Sequence, residues 1–174
     1  MAVTLQLARV TPDYLASCRR AAEASPNGDP EWDPPSADVL DLDWAPAPLM
    51  RVCELGGADD VHRQALWHAL EGGPDVDLVF LNTPPHETAL LGPDPAALSP
   101  DHVARIADLL AEIDFPGLLA SLPADESSAS ALIGYGTDGI VGGVRKYLLT
   151  HFNAVRRFYR DAALRHLLVV LWWD

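Results

Sequence analysis

Apolar positions near the end of the chain recur at helical steps. Val144, Leu148, Phe152, Val155, Tyr159 and Ala162 are separated by four, four, three, four and three residues. At about 100° per residue they form one stripe, which predicts an amphipathic helix lying on a core. Arg145, Arg156, Arg157 and Arg160 point to the other side, with Lys146 and Asn153 among them. Gly139, Gly142 and Gly143 are poor helix-interior residues, so the helix should start near or after them. Arg165 and His166 sit at its end, where cations suit the partial negative charge of a C-terminus. The run Leu167 to Trp173 follows without a polar interruption. A short, valine- and tryptophan-containing run of this kind predicts a strand covered on both faces, hence a central one. Burying one large apolar side chain contributes roughly 1.5–3 kcal/mol, so this strand is expected to anchor the fold.

Earlier segments follow the same logic. Val3 to Arg9 alternates apolar and polar residues and predicts a strand. Thr11-Pro12-Asp13 starts a helix, with Thr as N-cap and Pro at the first position, running to about Ala24. Ser25 to Ala37 is rich in Pro, Asp and Gly and predicts a loop, pinned to the body by Trp32. Val39 to Trp44 predicts a short extended piece, followed by a helix from about Pro48 to Leu55, stopped by Gly56-Gly57. Asp59 caps a helix that ends at Gly72-Gly73-Pro74. Val76 to Leu81 and Thr88 to Leu91 predict a hairpin around Asn82–His86. Ser99-Pro100-Asp101 opens a helix to about Ile113, with Val103, Ile106, Ala107 and Leu110 as its buried stripe. Pro116 to Leu122 predicts one more short helix, and Ala124 to Ser130 a polar loop.

These elements, over 174 residues of which half are apolar, predict one α+β domain. Its architecture should be a small mixed sheet with the C-terminal strand at its centre, flanked by several helices. The order of signals resembles the YfbM-like family, a bacterial domain of unknown function. The strand leading to Arg9-Val10-Thr11-Pro12 is similar to that family's opening. Leu40-Asp41-Leu42-Asp43-Trp44 resembles its Leu-Asp-Leu-Asp stretch. Leu90-Leu91-Gly92, then Leu98-Ser99-Pro100-Asp101-His102-Val103, resemble its strand-end glycine and next helix cap. Tyr147 to Trp173 resembles its last helix and strand. The resemblance implies a single mixed α+β domain over residues 1–174 and brings no established reaction with it.

Charge narrows the range of partners. The net charge is −13. After residue 138 six cations stand against two acids, and up to and including it six stand against twenty-three, so the tail carries +4 and the rest −17. The overall field repels phosphate polymers and anionic membranes, so neither nucleic acid nor membrane is expected as a partner. The basic face of the last helix is expected to meet the protein's own acids, or solvent. Cys18 and Cys53 are too few for a disulfide framework. The chain shows no basic-then-apolar leader and no apolar run of membrane-spanning length, which predicts a cytoplasmic protein with free thiols.

Candidate chemistry is sparse. Gly134-Tyr135-Gly136-Thr137-Asp138-Gly139 matches G-x-G-x-x-G, but no strand of ordinary length precedes it and no acid lies about twenty residues on. A flexible linker into the last helix is the better account, although its amides could meet a small anion. His68 and Glu71 lie one helical turn apart, and Asp41 and Asp43 share one side of an extended strand, a set that could grip a metal. His86-Glu87 lies in a turn, where functional groups concentrate. His151 lies at the edge of the last helix's stripe, where a core histidine is the default. Trp32 and Trp44, near prolines and acids, suit a pocket lip. The candidate pocket is therefore Asp41, Asp43, Trp44, His68, Glu71 and His86, with no catalytic residue, metal or cofactor assigned. Two functions compete. One is a non-catalytic acidic protein that binds a basic protein partner. The other is a small hydrolase or metal-dependent enzyme using Asp41, Asp43, His68 and Glu71, which requires those side chains to converge in one cleft. Oligomeric state is not legible.

Overall fold

The C-terminal strand sits in the middle of the sheet. In a computed structural model describing residues 3–89 and 92–174, the order is β2 (Val39–Asp41), β1 (Leu5–Val10), β6 (Leu168–Trp173), β5 (Ala96–Leu98). Leu7 faces Leu171 across the β1–β6 ladder, and Ala97 faces Val170 across β5–β6. Every ladder in this sheet is antiparallel, where a mixed sheet was expected. The α+β class and the central C-terminal strand stand. The reason for the unbroken apolar run is now visible. Val169 and Leu171 of β6 join Leu5 and Leu7 in the larger core, whereas Leu168, Val170 and Trp172 join Ala8 and Val10 in the smaller one on the opposite face.

Among the described residues seven α-helices surround the sheet: α1 (Pro12–Ala24), α2 (Pro46–Leu55), α3 (Asp60–Glu71), α4 (Pro100–Glu112), α5 (Phe115–Ala120), α6 (Glu126–Ile133) and α7 (Val144–Leu164). All six stripe residues of α7 are buried, as are the four of α4, and these two helices pack on each other against β6. Phe115 stacks on Phe152 with ring centroids 4.3 Å apart. The caps are those the residues dictate: Thr11 accepts from Tyr14 N at 3.0 Å, and Asp59 from His62 N at 2.9 Å. α2 starts at Pro46 rather than Pro48, since proline suits the first helical turn.

Three expectations fail for local reasons. Val76 to Leu81 is not a strand. Asp77 Oδ1 accepts Val79 N at 3.1 Å and the chain enters a 3-10 turn, which leaves Val79 exposed and sends Leu78 and Leu81 into the smaller core. The hairpin shrinks to Asn82–Thr83 (β3) against His86–Glu87 (β4), and the Leu90–Leu91 end of the expected return strand lies outside the described residues. Ala124 to Ser130 is not a loop throughout: Asp125 accepts Ser128 N at 2.8 Å and caps α6, which buries Ala129 and Ile133. β5 was not foreseen, because its three residues carry no alternation that a sequence could show.

The basic face of α7 is partly neutralised from within. Arg145 meets Glu126 at 2.6 Å and also the carbonyls of Leu122 and Pro123. Arg165 bridges Asp38 (2.7 Å) and Asp161 (3.1 Å), and Arg9 joins the same two carboxylates at 2.8 and 3.0 Å. Arg157, Arg160 and Lys146 face solvent.

Candidate functional site

Asp41 closes β2, and its Oδ1 accepts the backbone N–H of Asp43 at 2.7 Å. This Asx turn holds Asp43 at φ +51°, a conformation that Asp tolerates better than most residues. The turn buries Leu42 and Ala45, directs the Asp43 carboxylate toward α7, and leaves the Trp44 indole 61% exposed. On α7, Tyr147 donates its hydroxyl to Asp43 Oδ2 at 3.0 Å. Burial, reinforced by the Asp43 carboxylate, pushes the Tyr147 hydroxyl up to about 12, so it stays a neutral donor. His151 lies one turn further on, its ring centroid 4.3 Å from that of Tyr147. Burial holds its pKa below the ordinary value against the opposing pull of Asp43 and Asp41.

The Gly134–Gly139 segment forms the other wall. Gly134, Tyr135 and Gly136 all have positive φ (+78°, +57°, +71°), and Tyr135 is 66% exposed. It is not a free linker. Thr137 is buried, and its hydroxyl lies 3.2 Å from Ser130 O and 2.9 Å from Gly134 O. Between the two walls is a cavity of about 340 Å³ lined by Asp43, Trp44, Tyr135, Thr137, Ile140, Val141 and Tyr147, together with Gly136 and Gly139.

The six sequence-derived candidates do not share one cavity. Asp43 and Trp44 belong to the one just described. Asp41 and His86 line a wide groove of about 640 Å³ with Asp29, Trp32, Glu87 and Trp172, and His86 Nδ1 lies 3.9 Å from Asp29 Oδ1. Within it, Trp32 Nε1 is buried without an acceptor among the described residues. His68 lines a cavity of about 300 Å³ between α3 and α4 with His102 and Arg105. Its Nδ1–H donates to Gly72 O at 3.3 Å, while His102 Nδ1 contacts the Asp75 carboxylate and holds that acid below its usual range. Glu71 faces a small crevice beside Pro93 and Trp173, where partial desolvation raises its carboxyl.

No family model, curated protein or solved structure matches this chain. The set Asp41, Asp43, His68 and Glu71 is distributed over four separate cavities, so the arrangement a small hydrolase would need is not assembled. The Asx turn is the cause for the two aspartates: it removes Asp43 from the extended geometry that would have aligned it with Asp41. His68 and Glu71 diverge because α3 ends there and its last turn packs against the β5–β6 edge. His62 turns to Asp59 (2.8 Å) and Glu112 (3.1 Å) and ties α3 to α4. Among the described residues no group of three or more His, Cys, Asp or Glu side chains is placed to hold a metal ion, and no helix is long and apolar enough to cross a membrane.

Sequence reasoning missed Tyr135 and Tyr147. Tyr135 carried a faint signal, an aromatic between two glycines where only glycine should accept positive φ. Tyr147 carried none, since its partner lies 104 residues away.

Proposed function

We propose that this is a non-catalytic binding protein whose acidic surface receives a basic protein. One observation carries the reading: the excess acid faces outward. Among the described residues no Asp or Glu is buried. Six arginines, at positions 9, 19, 51, 63, 145 and 165, lie within ion-pair distance of carboxylates, which removes acids and bases in equal number. The arginine pairs therefore leave the formal net charge of −13 unbalanced, and its field acts on an approaching molecule. Such a field steers a cationic partner and repels anionic ones.

The same proposal includes the cytoplasm as compartment and kinship with the YfbM-like family. The latter rests on the order of the opening strand and helix, the Leu40–Trp44 stretch and the closing helix and strand. The test uses immobilised protein against host lysate, together with a defined decalysine peptide and an acidic control peptide. Decalysine should bind at low salt and be lost as the ionic strength rises toward about 1 M, where the Debye length falls to about 3 Å. Absence of both decalysine binding and any salt-sensitive lysate partner would sink the reading.

A further inference from the structure

We infer that the cavity between Asp43, Trp44, Tyr135 and Tyr147 receives one protonated side chain, arginine or lysine, from the basic partner; this rests on the proposed function above. Four observations converge on it.

The first is composition of the walls. Three aromatic rings and one carboxylate surround about 340 Å³, room for a long cationic side chain. Aromatic faces attract a cation through the ring quadrupole, and a carboxylate fixes its N–H groups. The second is the state of the carboxylate. Tyr147 occupies Oδ2 of Asp43 with a neutral hydroxyl donor, and no arginine or lysine among the described residues pairs with either oxygen. Asp43 is thus held in place by a neutral group and is left without an arginine or lysine partner among the described residues.

The third is exposed apolar surface. Trp44, Tyr135 and Val141, three of the large hydrophobic side chains left most open to solvent, all line this cavity. Clustered exposed aromatics of this kind mark interaction sites. The fourth is backbone strain. Asp43 (φ +51°) and Tyr135 (φ +57°) are two of the few non-glycine residues with positive φ, and they stand on opposite walls. Their conformations are enforced by the Asp41 Asx turn and by the Gly134–Thr137 anchor. Strained residues maintained by their surroundings and gathered at one cavity point to use rather than accident.

The alternative ligand for this loop is a small anion on its amides. The Asp43 carboxylate in the same cavity opposes it, and Asp41 adds to the same field.

The experiment titrates the full-length protein with N-acetyl-arginine methylamide and N-acetyl-lysine methylamide, followed by two-dimensional NMR of the tryptophan indole N–H signals. N-acetyl-citrulline methylamide serves as the uncharged isostere. Trp44→Phe assigns the Trp44 signal. The Trp44 signal should shift saturably with the arginine or the lysine compound and not with citrulline. Asp43→Asn keeps an acceptor for Tyr147 and tolerates the same φ, so the fold is retained while the charge is lost; affinity should fall by about tenfold or more. Tyr135→Ala, which leaves the Trp44 reporter in place, should weaken binding by a similar factor. Decalysine is titrated into the unmodified protein, Asp43→Asn and Tyr135→Ala. Equal binding of citrulline, no Trp44 shift with either cation, or unchanged cation affinity in Asp43→Asn would each overturn the inference. If decalysine still binds in those cases, the acidic-surface reading survives without this cavity; if decalysine also fails and no salt-sensitive lysate partner is found, both fall together.

Discussion

Tyr159→Phe removes a single oxygen from the middle of the protein. Tyr159 on α7 is fully buried, and its hydroxyl donates to the carbonyl of Ala69 at 2.8 Å. Ala69 is also fully buried and lies in the last turn of α3, where carbonyls lack an amide four residues on. The tyrosine therefore caps a helix end from another helix, 90 residues away in sequence. Burial raises the hydroxyl's pKa, so it is protonated at any ordinary pH. Phenylalanine keeps the ring and its packing, so no cavity larger than the lost oxygen opens. What remains is a buried acceptor without its donor, which costs about 1–3 kcal/mol. For a domain of this length each kcal/mol lowers the Tm by roughly 2–4 °C. Urea unfolding followed by tryptophan fluorescence and far-UV circular dichroism should give coincident transitions, a lower midpoint and an unchanged slope. A loss below about 0.5 kcal/mol, the low end for any hydrogen bond, would refute the capping argument.

Gly72→Ala should be more damaging. Gly72 has φ +76° and ψ −158°, a region open only to glycine, and a Cβ there would stand 2.6 Å from Ala96 Cβ at the edge of β5. Strain and overlap together should cost at least about 2 kcal/mol by urea unfolding. Gly134→Ala, with similar dihedrals (φ +78°, ψ −150°) but open space around the new methyl, should show the strain alone and so a smaller loss. Equal losses would refute the steric part. Asp38→Asn tests the charge cluster at the end of α7. The Arg165 guanidinium first, then Arg9, holds the Asp38 carboxyl below its ordinary value. A depressed pKa contributes stability that is present above the unfolded value of about 3.9 and is lost as pH falls through the folded one. Wild type should therefore lose stability in that acid window, and Asp38→Asn, less stable by on the order of 1 kcal/mol at neutral pH, should lose less there. Parallel acid limbs would count against the pairing.

The elements whose periods are long were legible. The α7 stripe, the α4 stripe, the Thr11 and Asp59 caps and the central β6 all follow from spacing and cap chemistry, since each is decided within one stretch of chain. Short-range competition defeated the rest. Asp77 and Asp125 bind backbone amides two and three residues on, and those bonds selected a 3-10 turn and a helix where hydropathy suggested a strand and a loop.

The candidate site divides along the same line. Asp43 and Trp44 were visible as an acid and an aromatic beside prolines, whereas Tyr135 and Tyr147 were missed. Nothing local joined them, and nothing local separated Asp41 from Asp43 or His68 from Glu71. Sequence alone determined a helix, a buried strand and an acid excess, because periodicity and charge are additive along a chain. Only tertiary structure decided which carboxylate meets Tyr147 and which histidines share a cavity. Those contacts join α7 to the turn after β2 and α3 to α4, and their geometry exists only once the sheet has brought distant segments within a few ångströms.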